Sequence, residues 1–182
     1  MRLFASVGVE ALADRIEDVQ EPLLGLEGIR VTDPKQAHVT VKFLGEGEHD
    51  LDALETALRR AVAAADVDPF EVTLEGVGAF PTPEHIRVVW LGVGAGSEPL
   101  TGLHRHVENE TTDLGYDPAR HDFTPHVTLA RMDNATAKED VQLFLRKADP
   151  EIGPIRVEEL RLMESTLTPD GPEYRAVERF EL

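Results

Sequence analysis

The tetrapeptide HVTV at residues 38–41 recurs as HVTL at residues 126–129, and this repeat decides the fold. The two copies stand in the longer stretches HVTVKFLG at 38–45 and FTPHVTLAR at 123–131. Their histidines are 88 residues apart, from position 38 to position 126, which is just under half of a chain of 182 residues. Self-similarity at one fixed offset indicates a duplicated unit.

Each copy is followed by a helical pattern and then by β-rich sequence. Apolar residues at helical spacing run from Leu51 to Ala65, with Asp50 as the predicted N-cap. The second pattern covers 141–148, where Thr136 and Glu139 are predicted to form a capping box. The β-rich segments are residues 70–80 and 155–165.

The sequence before each copy repeats as well. Strand patterns at 3–9 and 86–93 each precede a helical stripe, at 12–23 and 100–114. Residues 173–182 are predicted to be an extra strand, because the turn sequence Pro-Asp-Gly precedes them. Each half of the chain therefore follows the order strand, helix, strand, helix, strand.

This pattern predicts an α+β fold with two pseudo-symmetric lobes. Each lobe is expected to be a mainly antiparallel sheet with helices on its outer face. Because no linker separates them, residues 1–182 are predicted to form one bilobal domain that arose by internal duplication. We expect the lobes to pack sheet against sheet, with a cleft between them.

The composition excludes several classes of protein. Asp and Glu number 35 against 18 Lys and Arg, so a generic basic surface for nucleic acid is excluded. The absence of cysteine excludes disulfides, a thiolate nucleophile and cysteine-ligated zinc. No apolar run is long enough to span a membrane, and Glu10 comes too early for a signal peptide. A cytoplasmic monomer is expected.

The formal charge of −17 also suggests a host environment. Only four of the 18 basic residues are lysines. Excess acid with little lysine favours a protein that stays soluble in concentrated salt, where self-repulsion is screened. The alternative interpretation is an ordinary acidic bacterial protein.

The two repeats present the same polar residues on one side of their strands. Side chains alternate between the faces of a strand. The valines of the first copy point into the core, so His38 and Thr40 point the other way. His126 and Thr128 do the same in the second copy. If a two-fold axis relates the lobes, the two histidines face each other across the cleft.

Two imidazoles and two hydroxyls in this arrangement suit acid–base chemistry on a phosphate. One neutral imidazole accepts a proton from a nucleophile, and one imidazolium protonates a leaving group. Threonine hydroxyls can donate to phosphoryl oxygens without adding charge. A single histidine on a strand is more often structural, but the shared His-x-Thr frame favours function. Two histidines without a third suitable ligand argue against a metal site.

These motifs resemble the 2H phosphoesterase superfamily, and more closely the RNA 2′,3′-cyclic phosphodiesterases once called 2′-5′ RNA ligases. The resemblance covers nearly the whole chain, including GAFP at 78–81 and RVVWLG at 87–92. It implies hydrolysis of a terminal 2′,3′-cyclic phosphate to a 2′-phosphomonoester, without a metal or nucleotide cofactor. It also implies weak, reversible 2′-5′ joining of RNA ends.

The resemblance also implies the role of each motif residue. His38 is expected to be the proton donor to the 3′ oxygen, and His126 the proton acceptor that activates water. Thr40 and Thr128 are expected to bind the phosphate. The partner would be RNA with a 2′,3′-cyclic phosphate end, or a small cyclic nucleotide.

Four more residues are candidate substrate contacts. Lys42 has the strand parity of His38, so its ammonium could reach the cleft. Arg131 has the opposite parity and reaches phosphate only if the strand ends or bulges at Ala130. Arg120 and His121 precede the second motif, where relatives are commonly basic. Two aromatic residues, Phe80 and Trp90, are predicted to pack in the core rather than to stack on a base.

Two other functions stay open at this point. The same site could act on 2′-5′-linked oligonucleotides or on ADP-ribose cyclic phosphate. Alternatively, the chain could be a module that binds RNA ends or nucleotides without turnover. Two titratable imidazoles argue against pure binding, which does not need them.

Overall fold

The computed structural model describes residues 1–182 and contains nine β-strands and four α-helices. The strands are β1 Arg2–Gly8, β2 Ile29–Val31, β3 His38–Glu46, β4 Phe70–Thr82, β5 His85–Val93, β6 His126–Met132, β7 Glu151–Val157, β8 Glu159–Thr168 and β9 Gly171–Glu181. The helices are α1 Ala13–Gln20, α2 Leu51–Ala65, α3 Ser97–Asp113 and α4 Lys138–Lys147. The predicted α+β fold class is confirmed.

All strands belong to one antiparallel sheet, in the order β7-β4-β5-β6-β3-β1-β8-β9, with β2 beside β6. The sheet curls into a half-barrel. The expectation that two sheets pack face to face is wrong, because β3 and β6 join the lobes edge to edge through the pair Val39–Val127. We call this junction the seam.

The two lobes on either side of the seam interleave the halves of the chain. The first lobe, β3-β1-β8-β9, takes β8 and β9 from the second half of the sequence. The second lobe, β6-β5-β4-β7, takes β4 from the first half. The helices cross as well, because α1 packs on β6 while α3 packs on β3 and α2. The sequence pattern suggested one repeat per lobe, but each lobe combines strands of both repeats.

The helices cover one face of the sheet and leave the other face free. Strand residues that point toward the helices, such as Leu3, Val39 and Val127, belong to one hydrophobic core together with Leu54 of α2 and Leu100 of α3. Because valine and leucine alternate with polar residues along β3 and β6, the opposite, concave face carries the polar side chains.

Two predicted helix starts have different outcomes. The Asp50 carboxylate accepts a hydrogen bond from the Ala53 N–H, so this N-cap is confirmed. The capping box at α4 is wrong, since the residue before this helix is Ala137 and no side chain caps it. Asn134 instead accepts the N–H of Thr136 in a turn that precedes the helix. None of the four helices combines the length and hydropathy that a membrane crossing requires.

Candidate active site

The two His-x-Thr motifs meet at the seam. Val39 and Val127 are directly opposed in the antiparallel pair β3–β6, and both side chains are buried on the helix side. Residues on either side of an opposed pair are also cross-strand neighbours, and they project from the other face. The neighbours on the concave face are His38 with Thr128 and His126 with Thr40. The motif residues therefore form one cluster with two-fold symmetry.

The backbone fixes the same proton on both imidazoles. His38 Nδ1 lies 2.9 Å from the carbonyl oxygen of Gln36, and His126 Nδ1 lies 2.6 Å from that of Thr124. A carbonyl oxygen only accepts, so each Nδ1 must carry a hydrogen. In the neutral ring, Nε2 then holds the free lone pair. No protein group bonds to either Nε2, so both are available for proton transfer.

Burial lowers the pKa of His38 below its ordinary value, and the positive charges of His126 and Arg131 lower it further. The hydrogen bond to Gln36 opposes this shift, and so does the carboxylate of Glu10. The residual direction is downward. The imidazole is therefore neutral over a wider range of pH than a free histidine.

Burial also lowers the pKa of His126, with the hydrogen bond to Thr124 opposing it and the charge of Arg131 adding to it. No carboxylate acts on His126 as Glu10 acts on His38. The two imidazoles are thus alike in geometry and differ in their electrostatic surroundings.

The hydroxyls of Thr40 and Thr128 are half-buried and face the same cluster. Neither side chain makes a hydrogen bond within the protein. Both hydroxyls can therefore donate to a bound anion without breaking an internal contact.

A β-bulge interrupts the alternation directly after each threonine. Along β1, Ser6 pairs with Thr40 but Ala5 pairs with Lys42, which leaves Val41 as the extra residue. Along β5, a matching shift skips Leu129 between Thr128 and Ala130. An extra residue in one strand reverses the faces that follow it. The residues that return to the concave face are Phe43 after the first motif and Arg131 after the second.

The bulge brings Arg131 to the histidines. Its charge lowers the pKa of both His38 and His126, and it also acts on Tyr174. Arg131 is exposed and makes no salt bridge. The sequence predicted that Arg131 could reach a phosphate only if the strand ended or bulged at Ala130, and the structure has a bulge there. The structure therefore adds one unpaired cation to the cluster.

Lys42 is turned away from the cleft by the same kind of bulge. Its side chain is 4% exposed on the helix side, where Nζ lies 2.9 Å from the Glu108 carboxylate and donates to the carbonyl oxygen of Asp117 at 2.8 Å. Glu108 also accepts the N–H of Ala119. The expectation that strand parity carries Lys42 into the cleft is wrong. The β-bulge at Val41 reverses the alternation after Thr40, so Lys42 lies on the opposite face of the strand.

We expect Lys42→Met to lower the free energy of unfolding by about 2 kcal/mol, less than for a fully buried pair, because it leaves the partly buried Glu108 carboxylate without its cation. Burial alone would raise the pKa of Glu108, but the hydrogen bonds from Lys42 and Ala119 hold it below its ordinary value. The measurement is urea denaturation at neutral pH. The second change Glu108→Leu should recover most of the loss. Arg156→Met, in an exposed pair with Glu158, is the control, and a change equal to that of Lys42→Met would contradict the prediction.

Aromatic rings surround each histidine. Phe4 and Tyr174 lie 5.0 and 5.2 Å from the His38 ring, measured between centroids. On the other side, Phe80 and Trp90 lie 4.9 and 6.1 Å from the His126 ring. These contacts explain why burial dominates both pKa shifts. Phe80 and Trp90 therefore line the site, although the sequence favoured core packing for them.

Arg120 and His121 lie on the exposed loop between α3 and β6. Neither makes a hydrogen bond or a salt bridge within the protein. The loop leads directly into His126, but the structure does not bring these two side chains into the cluster around the histidines. They stay candidate contacts for a longer RNA.

Phe4 and Tyr174 beside His38 were not predicted from the sequence, and neither were Phe43, Glu10 and Gln36. Phe43 is 60% exposed and shares the concave face with Phe4. Glu10 acts on His38 and pairs with Arg161 at 2.7 Å. Gln36 accepts from His38, and its side chain also bonds to β9 at Pro172 and Tyr174. Phe43 could have been found from the repeat, since it occupies the position of Arg131 in the other motif.

The chain is similar to proteins of known name over its full length. Residues 9–168 match the 2′-5′ RNA ligase superfamily. Two relatives called RNA 2′,3′-cyclic phosphodiesterase come from Methanothermobacter thermautotrophicus and Archaeoglobus fulgidus. They are 34% identical over 100% of this chain and 99% of the relative, and 36% identical over 100% of both.

Solved structures share the fold. A Thermus thermophilus protein superposes with a TM-score of 0.79 at 26% identity, over 100% of this chain and 98% of the other. E. coli LigT complexed with 3′-AMP superposes with a TM-score of 0.76 at 24% identity, over 100% of this chain and 97% of the other.

Proposed function

The chain belongs to the 2′-5′ RNA ligase superfamily, and we propose that it is a phosphodiesterase that hydrolyses 2′,3′-cyclic phosphates, at RNA ends or on nucleosides, to 2′-phosphomonoesters. Relatives named RNA 2′,3′-cyclic phosphodiesterase that align with the whole chain support this substrate class. The proposed partner is therefore RNA with such an end or a small cyclic nucleotide.

One observation carries the proposal: two imidazoles share the same fixed tautomer on neighbouring strands. Because Nδ1 donates to a backbone carbonyl in both His38 and His126, each Nε2 is free on the concave face. A neutral ring can act there as a base, and a protonated ring as an acid. A pair of this kind is what an in-line displacement at phosphorus needs.

In the proposed reaction, water attacks phosphorus from the side of His126, whose Nε2 accepts the water proton. The bond from phosphorus to the 3′ oxygen breaks on the opposite side, and His38 gives that oxygen its Nε2 proton. Thr40 and Thr128 donate hydrogen bonds to the phosphoryl oxygens. Arg131 offsets the negative charge that develops on them. The 2′ oxygen stays bonded to phosphorus, so the product is a 2′-phosphomonoester.

The electrostatics of the site support His38 as the acid. Glu10 is the one carboxylate that acts on either imidazole, and it raises the pKa of His38 against the downward shift caused by burial. Arg131 lowers the pKa of both imidazoles, but its effect on His38 is smaller than the opposing effect of Glu10, and His126 has no carboxylate to oppose it. A proton is therefore held better on His38 than on His126 by the charges around them.

We place the terminal nucleoside on the His38 side, because the departing 3′ oxygen belongs to its ribose. Phe43 offers an exposed ring there on which a base can stack. A longer RNA would continue toward Arg120 and His121 on the loop before β6. We also propose that residues 1–182 act as one duplicated domain, with weak 2′-5′ joining when a 5′-hydroxyl replaces water.

The test is turnover of cytidine 2′,3′-cyclic phosphate and of a cyclic-ended oligonucleotide, with a chelator present. Formation of the 2′-monophosphate, resolved from the 3′ isomer by chromatography, supports the proposal. Binding without turnover would leave a nucleotide-binding module. Loss of activity with the chelator, restored by a divalent metal, would overturn the metal-free mechanism.

The dependence of kcat/KM on pH should be a bell whose maximum lies below about 6.5, the ordinary pKa of histidine. Burial lowers the pKa of both imidazoles in the free enzyme, so both limbs move toward acid. Activity falls at low pH as the base is protonated, and it falls at higher pH as the acid loses its proton. The profile should be recorded at constant ionic strength, and a rate that still rises through pH values near 9 would contradict it.

The variant Glu10→Gln tests which histidine is the general acid and which is the general base. Removing this carboxylate should lower the pKa of His38 further. If His38 is the acid, the alkaline limb moves to lower pH and the acid limb stays. Movement of the acid limb alone would reverse the two roles.

A further inference from the structure

A cavity of about 340 Å³ opens beside His126, outside the cluster that binds the phosphate. The residues that matter for its chemistry are Trp90, Gly92, Glu75, Ser97, Thr124 and Pro125. Gly92 pairs with His126 across β5 and β6, and the Trp90 ring borders the His126 ring. The cavity therefore adjoins the face of the site from which the nucleophile approaches in the proposed reaction.

The cavity is much larger than the water molecule that hydrolysis needs. One water molecule needs only about 10–15 Å³ of cavity space. The cavity, which is open to solvent, has about 340 Å³, and we take this as room for a ligand of nucleoside size. Trp90 provides an aromatic wall against which a base can stack. Glu75 is exposed and makes no salt bridge or side-chain hydrogen bond, so its carboxylate is free to accept from N–H groups of a base.

The negative charge of the cavity lining favours a nucleoside whose 5′ group is uncharged. Glu75 is the only charged residue around the cavity, and no lysine or arginine lines it. A 5′-phosphate would meet a carboxylate in a protein of net charge −17, so a free 5′-hydroxyl fits better. Among the bases, guanine presents two adjacent N–H donors that match one carboxylate.

We propose that this acceptor cavity binds a second nucleoside, with a free 5′-hydroxyl, on the His126 side of the phosphorus. The inference rests on the proposed function and deepens it. The 5′ oxygen takes the place of water: it bonds to phosphorus and gives its proton to His126 Nε2. The bond to the 3′ oxygen breaks, and His38 protonates that oxygen. The product is a 2′-5′ diester, and no further reactant is needed.

Binding can be measured without any turnover, because Trp90 is the only tryptophan in the chain. Guanosine should quench its fluorescence along a saturable curve, and guanosine 5′-monophosphate should bind more weakly. Glu75→Gln should weaken guanosine by about 10-fold, as expected when hydrogen bonds to a charged group are lost. Glu71→Gln is the matched control, because Glu71 is exposed on the same strand and lies outside the cavity.

Phe43→Ala separates the two base sites, since quenching by guanosine should persist in this variant. Linear quenching equal to that of free N-acetyltryptophanamide would overturn the proposal. Tighter binding of the 5′-monophosphate than of guanosine would also overturn it.

The second measurement is the ratio of products from cytidine 2′,3′-cyclic phosphate with added guanosine. The 2′-5′ dinucleotide should appear beside the 2′-monophosphate, and Glu75→Gln should lower their ratio by about 10-fold, in line with the binding loss. The ratio cancels any common change at the donor site. Methanol, which needs no cavity, should give an unchanged ratio of its ester to the 2′-monophosphate in this variant.

The two measurements distinguish a failure of the acceptor-site proposal from a failure of the proposed function. Guanosine that binds without changing the ratio in Glu75→Gln would show that the cavity is not the acceptor site. Absence of all hydrolysis would instead overturn the proposed function, while the fluorescence titration would still report on the cavity.

Discussion

Replacing either His38 or His126 with alanine is expected to lower kcat/KM for a 2′,3′-cyclic nucleotide by about 10²–10⁴-fold, the usual contribution of one general acid or base. Each imidazole presents a free Nε2 to the concave face, and its Nδ1 is held by the backbone. The double variant should be little worse than the poorer single variant, because the effects of residues that act as a unit in one displacement are not additive.

The control for this experiment is His85→Ala. His85 is exposed at the start of β5 and makes no side-chain contact with the site. Circular dichroism should confirm that all variants are folded. A folded His38→Ala or His126→Ala protein with nearly full activity would falsify the two-histidine mechanism.

The second large effect is expected at Arg131. Arg131→Ala should lower kcat by about 10²–10³-fold, as for the loss of one group that stabilises charge in a transition state. The reason is geometric: the bulge at Leu129 returns this unpaired guanidinium to the two histidines. Arg131→Lys keeps the charge without the planar fork, so it should restore only part of the rate.

Two features separate this effect from a general loss of positive charge. Arg87→Ala removes an exposed arginine from the neighbouring strand β5, next to Val88, which pairs with Arg131. Its kcat should stay close to that of the parent protein. The charge of Arg131 lowers the pKa of both histidines. The pH profile of Arg131→Ala should therefore also shift to higher pH. Equal losses from the two arginine variants would contradict a role at the phosphate.

Strand alternation was enough to place the four motif residues on one face. It needs only a regular strand from His38 to Thr40, and from His126 to Thr128, and both stretches are regular. The same rule failed for Lys42, two residues further on. A β-bulge is set by how two strands pair in space, and one strand read alone does not contain that information.

The path of the chain between the lobes also could not be predicted from local sequence patterns. The repeat correctly indicated two similar units, but β4 and β8 each cross to the other lobe. Which strands become neighbours depends on contacts that are distant in sequence. The helical stripes correctly predicted α1 and α3, but each helix packs on a strand of the other repeat rather than on the lobe of its own repeat.

The interleaving has a consequence for dividing the chain. A cut in the turn between β4 and β5, near Pro83, separates the two repeats without removing a residue. The N-terminal fragment would keep β1 and β3 but lose β8, their neighbour on the far side of β1. Each fragment would also expose a helix whose partner strand lies on the other piece. The halves should therefore remain unstructured apart and fold when mixed, so that activity is reconstituted with a dependence on the concentration of both.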